Sequence, residues 1–78
     1  MALLDNKNFK LIMKEKNNIH QKTSAEYTYF DLQGKTIFQI DTFGTVGRKN
    51  PHKCSQSIQI DKDMAKDLVP ILKKIFGI

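Results

Sequence analysis

One cysteine, no tryptophan, two prolines and no long apolar run narrow this 78-residue chain before any motif is considered. Cys54 has no second thiol to pair with, so an internal disulfide is excluded and a reducing, cytoplasmic setting is expected. No stretch approaches the ~20 apolar residues that a membrane span needs. The run Met1-Ala2-Leu3-Leu4-Asp5-Asn6-Lys7 has neither the charged start nor the apolar middle of a signal peptide, so a soluble protein is expected. His20, His52 and Cys54 are the only soft metal ligands, and His52-Lys53-Cys54 lacks the paired spacing of a zinc site. A Cys54–His52 nucleophile lacks a third group to orient the imidazole. Asp31, Asp41 and nearby Lys35 are the raw material of a nuclease, but surface aspartates beside lysines are usually solvated pairs. No enzyme activity, metal or cofactor is expected.

What the chain does have is positive charge. Thirteen Lys and Arg against eight Asp and Glu give +5, and the pI is near 9.5. Such a balance favours an acidic partner: nucleic acid, a phosphorylated ligand or an acidic protein surface. A lysine-rich surface kept for solubility is the other explanation. Residues 42–54 concentrate the signal, with Thr42, Gly44, Thr45, Gly47, Arg48, Lys49 and Lys53 between two strand-like runs. Glycine lets backbone N–H groups turn toward an anion. The glycine spacing is not that of a P-loop, and no helix follows directly.

Forty per cent apolar residues and seven aromatics suffice for one core, and no linker or repeat divides residues 1–78. Residues 1–8 read as a loosely held arm. Period-two alternation predicts strands over 9–16, 25–32, 35–41 and 56–60, with a tight Gln33-Gly34 hairpin turn. Asp61 is a suitable N-cap for a helix over 62–76 whose apolar residues, from Met64 to Phe76, recur at helical spacing. Pro70 interrupts it, so a kink or two short helices meeting near Val69 is expected, and Gly77 fits the stop. The expected fold is α+β, a four-stranded antiparallel sheet over 9–60 with one C-terminal helix on one face.

One helix covers one face only. Phe9, Leu11, Met13, Phe30, Leu32, Phe38, Ile40, Ile58 and Ile60 are expected beneath it. The open face would then carry Lys10, Ile12, Lys14, Tyr27, Tyr29, Lys35, Ile37, Gln39, Ser57 and Gln59. Rings among lysines are what single-stranded nucleic acid needs, since bases stack on aromatics and ammonium groups neutralise phosphates. Ser55 and Ser57, near Arg48, add hydroxyls able to bond a base edge or a phosphate. Alternatively, Ile12, Ile37, Tyr27 and Tyr29 form a homodimer core, which is compatible with a shared basic groove.

Two resemblances bear on function. Phe30-Asp31-Leu32-Gln33-Gly34-Lys35, Gln39-Ile40-Asp41, the basic loop with Pro51 and Lys53, and Ile58-Gln59-Ile60 before a helix resemble, over residues 27–74, the layout of the single-strand-binding transcriptional coactivators of the positive-cofactor type. That resemblance implies a helix-capped, dimeric binder of single strands. The chain departs from it in having no tryptophan and in carrying Ser55-Gln56-Ser57 where a lysine–glycine pair is expected. Gln39-Ile40-Asp41-Thr42-Phe43-Gly44-Thr45, Arg48 and Ser55-Gln56-Ser57-Ile58-Gln59 are also similar to short bacterial and prophage proteins with a Gln-Ile-Asp-Thr-aromatic-Gly signature. This second resemblance implies a small phage-type inhibitor of host defence that binds a protein or sequesters a nucleotide.

Overall fold

Strand-forming residues around a two-residue turn build the centre of the molecule. The structure, a computed structural model, describes residues 1–44 and 54–78. Thr45, Arg48, Lys49 and Lys53 lie outside the described residues. β1 (Ala2–Leu3), β2 (Ala25–Leu32), β3 (Lys35–Thr42) and β4 (Gln56–Ile60) form one sheet in the order β1-β4-β3-β2, and α1 (Lys62–Phe76) follows β4. Gln33 and Gly34 both take positive φ, 53° and 75°, the twist that matches two right-handed strands. β2 and β3 pair antiparallel along their whole length, from Ala25 opposite Thr42 to Leu32 opposite Lys35. β4 pairs antiparallel with β3, bringing Ile60 opposite Phe38 and Ser57 opposite Asp41.

The fourth strand is not the expected one, and the sheet is mixed. Residues 9–16 alternate but form no strand; the stretch from Phe9 to Ser24 has no regular structure. Alternation says which side chains would share a face, but it cannot supply a neighbouring backbone to pair with. The place beside β4 is taken by Ala2 and Leu3, which run parallel to Ile58 and Gln59. The arm is therefore part of the sheet. It continues through Leu4, whose N–H donates to the Gln59 carbonyl, into a 3-10 turn at Asn6–Asn8. The Asp5 carboxylate caps that turn by accepting from the Lys7 N–H at 3.0 Å and the Asn8 amide at 2.6 Å.

The register also corrects the expected division of faces. A two-residue turn pairs odd positions of β2 with even positions of β3, and directly opposed residues share a face. Tyr27 and Tyr29 thus lie with Phe38, Ile40, Ile58 and Ile60, and the Tyr27 and Phe38 rings sit 5.6 Å apart. Phe30 and Leu32 lie on the opposite face with Ile37, Gln39, Ser57 and Gln59. The expected platform of tyrosines among lysines is not formed.

α1 starts where Asp61 Oδ1 accepts from the Met64 N–H at 2.9 Å. It ends at Gly77, whose φ of 68° lets its N–H reach the Lys73 carbonyl at 2.8 Å. Asp63 in its first turn and Lys73 and Lys74 in its last suit the helix dipole. Ala65, Leu68 and Val69 face Phe38 and Ile60 across an apolar cleft of about 430 Å³, so the helix lies on the tyrosine side of the sheet. Met64 is fully buried.

The helix runs unbroken through Pro70, not as two short pieces. A proline there leaves the Lys66 carbonyl without its i+4 donor. Pro70→Ala is expected to stabilise the protein by roughly 1–3 kcal/mol, because the ring costs about 3 kcal/mol relative to alanine inside a helix. The shift in urea midpoint at unchanged slope measures it; an unchanged midpoint would mean that the ring makes contacts of equal worth.

Candidate functional site

The face turned away from α1 carries a continuous polar row at the centre of the sheet. Gln39 and Gln59 are directly opposed on β3 and β4, as are Asp41 and Ser57. The Gln59 side-chain amide donates to Gln39 Oε1 at 2.8 Å, and the Gln39 amide donates to Asp41 Oδ1 at 2.9 Å. Ser57 Oγ donates to the same carboxylate oxygen at 2.5 Å, and Cys54 Sγ lies 3.7 Å from it. All four strand residues are half-buried. Each amide spends one donor within the row, so that among the described residues the other Gln39 and Gln59 N–H groups, Gln59 Oε1 and Asp41 Oδ2 are the row's further hydrogen-bonding capacity.

Beside the row, Thr28 and Glu26 on β2 stand opposite Gln39 and Asp41. Leu3 stands opposite Gln59 on the β1 side, and Phe30 and Ile37 are paired toward the turn. Met1, Ala2, Leu3, Gln39, Ser57 and Gln59 enclose a shallow bowl of about 270 Å³. Amides on the floor of such a bowl can bond the hydrogen-bonding edge of a planar heterocycle, as glutamine does with adenine. The Asp41 carboxylate repels anions at its end of the row.

The row sets the acidity of Asp41. The Ser57 hydroxyl foremost, then the Gln39 amide and lastly the Cys54 thiol bond the ionised carboxylate and lower its pKa from the ordinary 3.8, against a smaller desolvation effect that raises it. A lowered folded pKa means that the unfolded chain binds more protons in acid. The stabilisation is therefore complete above the ordinary value and is lost as pH falls through the lowered one. Ser57→Ala should flatten the acid limb of stability between about pH 5 and about pH 2. Urea midpoints across that range check this, and an acid limb identical to that of the parent protein would contradict the assignment.

Of the residues expected to bind, the structure brings together Gln39, Ser57 and Gln59, with Lys35 on the same face near the hairpin turn. Tyr27 and Tyr29 are on the other side of the sheet. Lys10 and Lys14 lie exposed in the irregular stretch after Asn8, away from any strand. Thr42 pairs with Gln56 on the tyrosine face, and its carbonyl accepts from the Ser55 N–H at 2.6 Å. Gly44 has φ 81°, and its carbonyl accepts from the Thr23 hydroxyl. The β3–β4 connection thus leaves and returns at the Asp41–Ser57 end of the row. Asp31 and Asp41 are not a pair: Asp31 lies opposite Thr36, whose hydroxyl donates to it at 2.5 Å, at the other end of β2–β3 and on the other face.

Asp41 as the hub of the row and Phe30 as its aromatic neighbour were not expected from sequence. The parity imposed by the Gln33-Gly34 turn is the signal that places Phe30. Among the described residues no three His, Cys, Asp or Glu side chains group as metal ligands, and no helix is long and apolar enough to cross a membrane. Comparison with protein-family models, curated proteins and solved structures gives no match to this chain.

Proposed function

We propose that the protein is a non-catalytic binding module for single-stranded nucleic acid, acting in the cytoplasm, with bases read on the Gln39–Gln59–Asp41–Ser57 face. The observation that carries this is the hydrogen-bonded row itself, half-buried on the two central strands and on the side that α1 does not occupy. Amide and carboxylate edges supply base contacts, and Phe30 with Leu3 supplies apolar surface against the base plane. The surplus of lysine and arginine supplies phosphate contacts, with Lys35 on the face itself and Arg48, Lys49 and Lys53 in the connection between its two central strands. The proposed surface keeps Gln39, Ser57 and Gln59 from the one expected from sequence and differs in having Phe30 in place of Tyr27 and Tyr29 and in adding Asp41.

A fluorescent oligonucleotide titrated with the protein tests this. Saturable binding at micromolar protein is expected, and Gln39→Ala with Gln59→Ala should weaken it by at least about tenfold, since a good base contact contributes ~1–3 kcal/mol. No saturable binding, or full affinity in the folded double variant, would overturn it.

A second reading is favoured by the size of the bowl, which at about 270 Å³ suits one small planar ligand better than a strand of several bases. On that reading the protein is a small inhibitor that sequesters a nucleotide. Free mononucleotide displacing the oligonucleotide at equal concentration would favour it.

A further inference from the structure

We infer that two copies of this chain form a dimer through the tyrosine face of the sheet and the C-terminal half of α1. A compact 9.0 kDa protein exposes roughly 4,900 Å², whereas this chain exposes 7558 Å². Its radius of gyration is 14.8 Å, against roughly 11.5 Å for a compact chain of this length. The irregular stretch 9–24 accounts for part of the excess, and exposed apolar side chains of the sheet and of α1 contribute a further part. An obligate dimer buries ~2,000–5,000 Å² in total, or about 1,000–2,500 Å² from each chain, which the excess accommodates.

The residues concerned are large and apolar. Tyr27 and Tyr29 are each 73% exposed, Ile75 67% and Phe76 70%. Val69 and Leu72 are exposed on the same helix, whose charged residues fall between the apolar ones. The helix faces the sheet across the cleft between Phe38, Ile60, Ala65 and Leu68, and beyond that cleft Leu72, Ile75 and Phe76 are exposed. Among the described residues Met64 is the one fully buried side chain, too little to offset the conformational entropy of ordering them, so folding is coupled to burial elsewhere. The chain offers both a helix end with an apolar stripe beside Lys73 and Lys74 and an apolar sheet face. Exchange of helix for sheet about a two-fold axis covers both at once, which a second copy does by symmetry. The inference is independent of the ligand proposed above, because the amide row is on the other face.

Sedimentation equilibrium of the full chain without nucleic acid tests it. The expected mass at micromolar concentration is twice 9.0 kDa, and the melting temperature should rise with protein concentration. In a monomer, substitutions at the exposed Ile75 and Phe76 would be nearly neutral. Ile75→Lys and Phe76→Lys are each expected to weaken self-association on the order of a hundredfold, or to unfold the chain at concentrations where the parent is folded. Circular dichroism distinguishes these two outcomes, and both support the interface. A single-chain mass with a concentration-independent melting temperature would overturn it. So would a dimer that both variants leave unchanged, a mass of three or more chains, or a dimer that forms only when oligonucleotide is added.

Discussion

An oligonucleotide bound at about 50 mM salt should lose about fiftyfold of its affinity at about 200 mM. The estimate assumes about four phosphates neutralised, each contributing ~0.7 to the slope of log affinity against log salt for a single strand. The chain has the charge for this, with +5 net. Lys10, Lys14, Lys16 and Lys22 are exposed in the stretch before β2, and Lys35 stands on the face turned away from α1. Asp41 and Glu26, opposed on that same face, would keep the phosphates of the proposed ligand toward its margins. Fluorescence anisotropy at a series of salt concentrations gives the slope. A flat slope would separate base recognition from phosphate recognition and favour an uncharged or mononucleotide ligand.

Met64→Ala should lower the melting temperature by roughly 8–40 °C. Truncating a buried methionine costs ~2–5 kcal/mol, and ~1 kcal/mol corresponds to about 4–8 °C in a domain of this size. Met64 is completely excluded from solvent, and its N–H is the group that Asp61 caps, so the side chain anchors the start of α1 beside the sheet. Met64→Leu keeps the volume and should cost less than about 1.5 kcal/mol. Thermal melts followed by circular dichroism compare the two. Equal melting temperatures for the alanine and parent proteins would show that the packing of α1 on the sheet does not hold the fold together.

Local signals in the sequence were strong where they were read within one element. β-branched and aromatic residues mark β2, β3 and β4, the Gln33-Gly34 pair marks the hairpin, and Asp61 and Gly77 mark both ends of α1. Two features failed for identifiable reasons. Phe9, Leu11 and Met13 alternate as a strand does, but pairing depends on a free neighbouring edge, and Ala2–Leu3 occupies the one beside β4. The assignment of Tyr27 and Tyr29 to the open face conflicts with the two-residue turn, which pairs Tyr29 with Phe38 and was legible in the numbering. Gln39, Ser57 and Gln59 were placed correctly because they belong to strands whose parity needs no turn to fix it. The role of Asp41 depends on hydrogen bonds from Ser57 across the sheet and from Gln39 along its own strand, which no single segment reveals.

The most direct test is NMR of the side-chain amides during an oligonucleotide titration. Saturable shifts of the Gln39 and Gln59 Nε2 resonances, with Tyr27 and Tyr29 ring protons unmoved, are the predicted result. Shifts confined to the tyrosine rings, with both glutamine amides unchanged, would contradict the placement of the ligand on the polar face.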